Sequence, residues 1–331
     1  MASQNELKNK EKKVKSKSKK DSVIKISAIV TFSNIEDSVD EYYEMLKSTL
    51  DTLNKSYEII FVDDASEDRT YKKLKSIAGN NKNVHLIRMR SPFGEASTFE
   101  AGFNLSKGET IIFYTTRVRP NAKQIPSLLK KLNQGYDLVV GWRFPRKDAL
   151  INRFISKMFN FITAKLSEIK IHDFNSGVFV TRRDVLENIQ IYGGLSQFVP
   201  VLAKKQGYKV VEEKIEQLSG KFRKSRFVSE YLQRGLDILT VLFLTKYSKK
   251  PIHFLGFLGG VFTAAGGLIE LYLFFYRIFG YGPIAGRPLL LLGALLLVIG
   301  LQMVAMGLIG EMISFTHAGD IKEYNIEEIL E

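Results

Sequence analysis

The stretch YEIIFVDDASEDRT, residues 57–70, decides the fold. Its first half is an apolar run rich in β-branched and aromatic residues and reads as a buried strand over 57–64. Its second half is a polar turn that feeds a helix from about Arg69. A buried strand that ends in acids and passes into a helix is the repeating unit of an open α/β sheet. Ligands of such sheets bind beyond the carboxyl ends of the strands. Asp63 and Asp64 stand at that end. A carboxylate pair there can accept hydrogen bonds from the base or ribose of a nucleotide. The same residues also suit a plain strand-end turn with Asp68 capping the next helix. Both readings are open at this point.

Working outward, the same alternation continues on both sides. A strand with its core at 25–32 precedes a helix from Ser38 to Leu53. Downstream come VHLIRMR (84–90), a helix after Gly94, ETIIFYT (109–115), a helix from Asn121 and DLVVGWR (137–143). An amphipathic stretch at 148–168 follows, with Leu150, Phe154, Ile155, Met158, Phe159, Phe161 and Ile162 on its apolar face, and then a strand at SGVFVTR (176–182). The pattern predicts an α/β domain over 23–218, a mostly parallel sheet with helices on both faces. Gly94 and Gly102 suit close packing of helix on sheet.

The chain has 331 residues and no cysteine, which excludes disulfides, thiolate metal sites and cysteine nucleophiles. Its four histidines are scattered without zinc-ligand spacing. A net charge of +13 suits an anionic partner, and no nucleic-acid motif is present. Residues 1–22 form a lysine-rich tail without apolar periodicity. It reads either as a solvated disordered tail or as a tether to an anionic lipid bilayer.

The C-terminal third has a different character. A basic loop and an amphipathic segment occupy 219–250, the apolar stretch running from Phe227 to Tyr247. It suits a helix lying on a membrane surface, or a buried core helix. Two apolar segments, about 253–276 and 289–313, then reach the roughly 20 residues that a bilayer core requires. Gly-Tyr-Gly-Pro at 280–283 and Pro288 turn the chain between them, so a hairpin is expected, with a polar tail over 315–331. Lys246, Lys249 and Lys250 before the first span favour a cytoplasmic soluble domain on a multi-pass membrane protein. Glu270 and Glu311 are costly in lipid and are expected to face a helix, a neighbouring subunit or the interface. The small residues Gly256, Gly259, Gly260 and Gly266 invite close helix contact, within the hairpin or in a homo-oligomer.

These residues carry a family resemblance. VDDASEDRT (62–70) resembles the nucleotide-binding signature VDDGSTDGT of family-2 glycosyltransferases. SPFGEASTFEAGFNLSKGETII (91–112) is similar to that family's RNFGxxAALxAGFxxAxGDxII. GWRFPRKD (141–148), HDFNSGVFVTRRDVL (172–186), FRKSRF (222–227) and GEMI (310–313) resemble its polyprenyl-phosphate branch in order and spacing. That branch includes dolichyl-phosphate mannose synthase and undecaprenyl-phosphate sugar transferases. The resemblance implies a GT-A-like fold, a nucleotide-sugar donor and a polyprenyl phosphate acceptor. It implies that Asp64 sits near the base and Asp63 near the ribose, with Ser66, Asp68, Asp173 and Ser176 completing the donor site. It places Arg143, Arg146, Lys147, Lys224, Ser225 and Arg226 at the lipid phosphate, where arginine forks match phosphate oxygens.

One motif departs from the pattern. Where the family reads DADLQDPPEEIP and holds Mg²⁺ or Mn²⁺ against the donor diphosphate, this chain reads TTRVRPNAKQIP (115–126). Thr115 and Arg117 stand in place of the two acids, while Ile125-Pro126 stays in register. A hard divalent cation requires oxygen ligands, preferably carboxylates, so no metal site is expected here. Between Asp68 and Asp137 the acids are Glu95, Glu100 and Glu109. Two readings are open. In one, Arg117 and Arg119, with Arg143, take over the cation's role at the leaving group. In the other, catalysis is lost, and the chain is a binding or assembly protein beside an active paralogue.

Overall fold

Seven strands form one sheet in the order β3-β2-β1-β4-β6-β5-β7. They are β1 (Ile26–Phe32), β2 (Tyr57–Asp63), β3 (Val84–Arg88), β4 (Thr110–Thr115), β5 (Leu138–Arg143), β6 (Val178–Arg182) and β7 (Val210–Ile215). The computed structural model describes residues 24–147, 156–157, 160–161, 163–164, 169–189, 198–218, 247 and 250–316. The chain divides into two compact units, Met1–Glu230 and Tyr231–Glu331.

In the first unit β1 pairs parallel with β2 and β4, β2 with β3, and β5 with β7. The exception is β6, which runs antiparallel to both β4 and β5. The sheet is mostly parallel, as expected, and β6 alone makes it mixed. Helices α1 (Val39–Asp51), α2 (Thr70–Asn80) and α4 (Ile125–Leu132) cover one face. Their Tyr42, Leu46, Leu50, Leu74, Leu128 and Leu132 pack with Val30, Phe61, Ile112 and Val180 of the strands. Helix α3 (Glu95–Leu105) covers the opposite face, where Phe99 meets the rings of Phe113 and Phe179 edge-on. Gly102 lets α3 lie close to the sheet, since a Cβ there would come within 2.4 Å of Ile29 Cγ2. Short helices α5 (Arg183–Glu187) and α6 (Val199–Lys205) lead into β7.

Several boundaries differ from the sequence expectation for local reasons. β3 stops at Arg88 rather than at residue 90, because its partner β2 ends at Asp63, directly opposite Arg88. The helix expected from Asn121 begins as a 3-10 turn, Ala122–Gln124, and becomes α-helical at Ile125 with proline in its first turn. β7 was not anticipated. Its sequence VVEEKI carries three charges and lies at the sheet edge, where charged residues block further pairing.

The second unit is a hairpin of two helices, α7 (Pro251–Ile278) and α8 (Pro288–Thr316), of 28 and 29 residues. Both are long and apolar enough to cross a membrane. They run one to three residues beyond the expected spans at each end. Leu268, Leu291, Leu295 and Leu301 face outward, while glycines line the seam. A Cβ at Gly300 would stand 2.6 Å from the Gly259 carbonyl oxygen, and one at Gly266 would stand 2.7 Å from that of Gly293. Such backbone contact is the packing that small residues permit between apolar helices. Glu270 turns into this seam, its Oε1 lying 2.5 Å from where a Cβ of Gly293 would be. At the turn, Arg287 donates to the Tyr276 hydroxyl and the Pro283 carbonyl at 2.9 and 3.0 Å.

Candidate functional site

The parallel register aligns the strand ends along one edge. Phe32 pairs with Asp63, Thr31 with Thr115, and Arg143 with Ile215. Because β6 is antiparallel, its start at Val178 lies opposite Tyr114, so the segment 173–177 arrives at the same edge. The strand order reverses beside β1, and this edge is where an open α/β sheet forms its ligand crevice.

The loops after β1 and β2 are laced together. Asn34 and Glu36 N–H groups donate to Ser66 Oγ (3.0 Å) and Asp68 Oδ2 (3.1 Å), while Glu67 N–H donates back to Asn34 Oδ1 (2.9 Å). Asp68 also accepts from Thr70 N–H at 2.9 Å. Burial disfavours its charge, but the Thr70 and Glu36 hydrogen bonds outweigh that and lower its pKa. Ser66 and Asp68 thus build the loop walls.

Asp63 is wholly buried. Its Oδ2 accepts from Ser66 N–H at 3.3 Å and faces Arg88 Nε at 3.9 Å, while Oδ1 has no partner among the described residues. Burial raises its pKa, and Ser66 and Arg88 oppose the rise only in part. A carboxyl with a raised folded-state pKa contributes most to stability below its unfolded pKa, and that contribution is lost as pH rises through the folded value. Asp63→Asn is therefore expected to raise the thermal midpoint at pH 7. The gain should fade as pH falls from the raised folded value toward about 4, the ordinary aspartate value. Thermal melting across pH checks this.

Asp64 spends its carboxylate on backbone. Oδ1 accepts from Phe93 N–H at 2.8 Å, and Oδ2 from Gly94 N–H at 3.1 Å. Gly94 has φ +87°, a left-handed conformation that favours glycine. This clamp sets the start of α3 and so delivers Glu95 to the end of β4.

At that end Thr115 is buried, and its N–H donates to the Gly177 carbonyl at 2.8 Å. Arg117 follows in a 3-10 turn, Thr116–Val118. Its Nη2 lies 3.2 Å from Glu95 Oε2 and 3.4 Å from Asn175 Oδ1. Glu95 Oε2 also accepts from Thr115 Oγ1 at 3.4 Å. Arg119 leaves in another direction: its φ is +53°, and its guanidinium lies over the Tyr42 ring of α1 and 3.5 Å from Glu41. The two arginines expected to act together at a diphosphate are thus held by partners on opposite faces of the sheet.

Arg143 and Asp173 form a bidentate pair at 2.7 and 3.0 Å, each side chain 1% exposed. Arg143 Nη2 also donates to the Asn175 carbonyl at 2.7 Å. Ser176 Oγ is buried and donates to the Val178 carbonyl at 2.9 Å. Gly177, with φ +77°, closes the segment against β4, where an added Cβ would come within 2.5 Å of Thr115 Cγ2. Arg146 approaches Asp173 at 4.0 Å and donates to Ser156 Oγ at 3.3 Å. Lys147 is exposed, with Nζ 3.5 Å from Glu216. Lys224, Ser225 and Arg226 lie outside the described residues.

The residues at the family's metal position do not fit a divalent cation. They are two threonines and Arg117, and the carboxylate that reaches them, Glu95, already pairs with the guanidinium. Among the described residues no group of three or more His, Cys, Asp or Glu is placed to hold a metal. Glu95 and Asn175, which carry the Arg117 contacts, were not singled out by sequence. The signal was available in the resemblance: Glu95 opens α3, Arg117 aligns with an acid of the family motif, and the two charges match.

Residues 27–190 match the family described as Glycosyl transferase family 2. The chain is 30% identical over 292 residues to the undecaprenyl-phosphate 4-deoxy-4-formamido-L-arabinose transferase of Photorhabdus laumondii, spanning 87% of this chain and 88% of that one. It is 28% identical over 303 residues to the dodecaprenyl-phosphate galacturonate synthase of Rhizobium johnstonii, spanning 90% of each. Among solved structures it resembles glucosyl-3-phosphoglycerate synthase from Mycobacterium tuberculosis in complex with Mn²⁺, uridine diphosphate and phosphoglyceric acid. The TM-score is 0.54 at 15% identity, over 67% of this chain and 78% of that one. That likeness shows the GT-A-like fold alone. With a mixed sheet whose strand ends converge on one edge and two C-terminal helices able to span a membrane, the chain belongs to glycosyltransferase family 2.

Proposed function

We propose that the protein transfers a sugar from a nucleotide-sugar donor to a polyprenyl phosphate at the cytoplasmic face of a membrane, without a divalent cation. The observation that carries this reading is the guanidinium of Arg117, held by Glu95 and Asn175 at the end of β4. The acceptor phosphate is already an anion and requires no general base. One of its oxygens attacks the anomeric carbon as the bond from that carbon to the diphosphate oxygen breaks. The electron pair leaves on the nucleoside diphosphate, and a fixed cation beside it stabilises the developing charge. The orphaned Asp63 Oδ1 suits a ribose hydroxyl, and Asp64, Ser66 and Asp68 shape the cradle around it. Arg143 holds Asp173 and the 173–177 segment rather than meeting a phosphate, since its guanidinium is buried against them. Arg146 and Lys147, on the same edge, are assigned to the acceptor phosphate; Lys224, Ser225 and Arg226, assigned with them by the family resemblance, lie outside the described residues. The hairpin anchors the enzyme where its lipid substrate resides.

The test is a transfer assay with the purified full chain, polyprenyl phosphate and a panel of nucleotide sugars, with and without EDTA. Product formed with one donor and undiminished by EDTA is the expected result. Abolition by EDTA would overturn the cation-free mechanism. No product with any donor would overturn the enzyme reading and leave a binding or assembly role.

A further inference from the structure

Glu95 is the one acid that faces Arg117 at the end of β4 among the contacts described. Its side chain is 16% exposed and that of Arg117 is 37% exposed, so the acid is largely buried while the guanidinium keeps access to solvent. The contact is one-sided. Both partners of the guanidinium, Glu95 Oε2 and Asn175 Oδ1, engage the same nitrogen, Nη2. Among the described residues, no side-chain partner takes Nε or Nη1. A planar guanidinium pinned at one corner keeps a second edge free for a bidentate anion.

Glu95 itself is not free to wander. It is the first residue of α3, next to Gly94, whose N–H is clamped by Asp64. It also accepts from Thr115 Oγ1, which stands on β4 beside the arginine. The acid is thus fixed by one strand end and aims the cation at another. It also adds a negative charge within reach of any diphosphate that Arg117 binds. Orientation and attraction therefore act in opposite directions on a bound anion, and the two effects fall on different kinetic constants.

We infer that Glu95 is a positioning residue: it holds the guanidinium of Arg117 with one edge presented to the donor's diphosphate, at the expense of ground-state affinity. This rests on the donor-site reading above. Removing the charge while keeping the shape, as Glu95→Gln does, frees Arg117 to follow the ground-state diphosphate. Binding becomes equal or tighter, and turnover falls because the guanidinium is no longer fixed where charge develops.

The experiment uses the full chain in detergent with EDTA present. Binding of uridine diphosphate and of guanosine diphosphate is measured by calorimetry for wild type, Glu95→Gln and Arg117→Ala, and transfer kinetics are measured beside it. Thermal melting confirms that each variant is folded. The expected pattern is a split. Glu95→Gln binds the preferred diphosphate as tightly as wild type or up to several-fold tighter, with kcat down about tenfold. Arg117→Ala weakens that binding at least about tenfold, the loss of a charge-assisted phosphate contact. Weaker binding in Glu95→Gln together with lower kcat, or no change in either, overturns the inference. So does failure of wild type to bind either diphosphate. If wild type binds a diphosphate but transfers no sugar, the transferase reading fails, and the inference then stands only if Glu95→Gln binds that diphosphate more tightly than wild type and Arg117→Ala more weakly; unchanged or weaker binding in Glu95→Gln overturns it.

Discussion

Arg117→Ala is expected to lower kcat by about 10²–10³-fold in the transfer assay, with a melting temperature close to that of wild type. The size follows from the role. Removing a single fixed donor from developing negative charge costs about that much in enzymes that rely on electrostatic stabilisation. Among the described residues Arg117 is the one cation paired with Glu95 at that strand end, so no second positive centre compensates there. The stability effect is small because the ion pair with Glu95 is partly exposed, and such pairs contribute about 1 kcal/mol or less. Arg117→Lys separates charge from shape: a point charge on a flexible stem keeps attraction but not the fork, so an intermediate kcat is expected. Steady-state kinetics with EDTA and thermal melting decide the matter. A wild-type rate in Arg117→Ala would remove this residue from the mechanism.

How the same sequence hides and reveals its site is a matter of range. Asp63 was legible because a continuous apolar run precedes it, and a buried strand of a parallel sheet must end near the ligand edge. The clamp that Asp64 makes on Phe93 and Gly94 was not, since it joins residues about thirty positions apart. Arg117 and Arg119, two positions apart after a strand, would project to one face if extended geometry continued. The 3-10 turn at Thr116–Val118 and the left-handed Arg119 break that alternation and send one guanidinium to α3 and the other to α1. β7 was hidden for the opposite reason: it is an edge strand, and its charges erase the apolar signal by which strands are recognised. The hairpin was nearly complete in the sequence, because length and hydropathy alone set whether a helix can cross a bilayer.

Asp173→Ala is expected to destabilise the first unit by about 3–5 kcal/mol, the cost of leaving a buried charge without its partner. For a domain of this size that lowers the melting temperature by about 10 °C or more. Both side chains of the Arg143–Asp173 pair are 1% exposed and share two short hydrogen bonds, so solvent screens neither. Arg143→Met should cost a similar amount through the stranded carboxylate. Changing both at once, Arg143→Met with Asp173→Leu, removes the desolvation penalty along with the attraction, and buried pairs replaced in this way often lose little stability. Activity should not return with it. Arg143 also donates to the Asn175 carbonyl, and Asn175 in turn holds Arg117. An apolar pair fills the space without aiming that loop. Melting temperature near wild type with kcat still depressed would mark the pair as the support of the Arg117 site. Recovery of both together would mean that the ion pair serves stability alone.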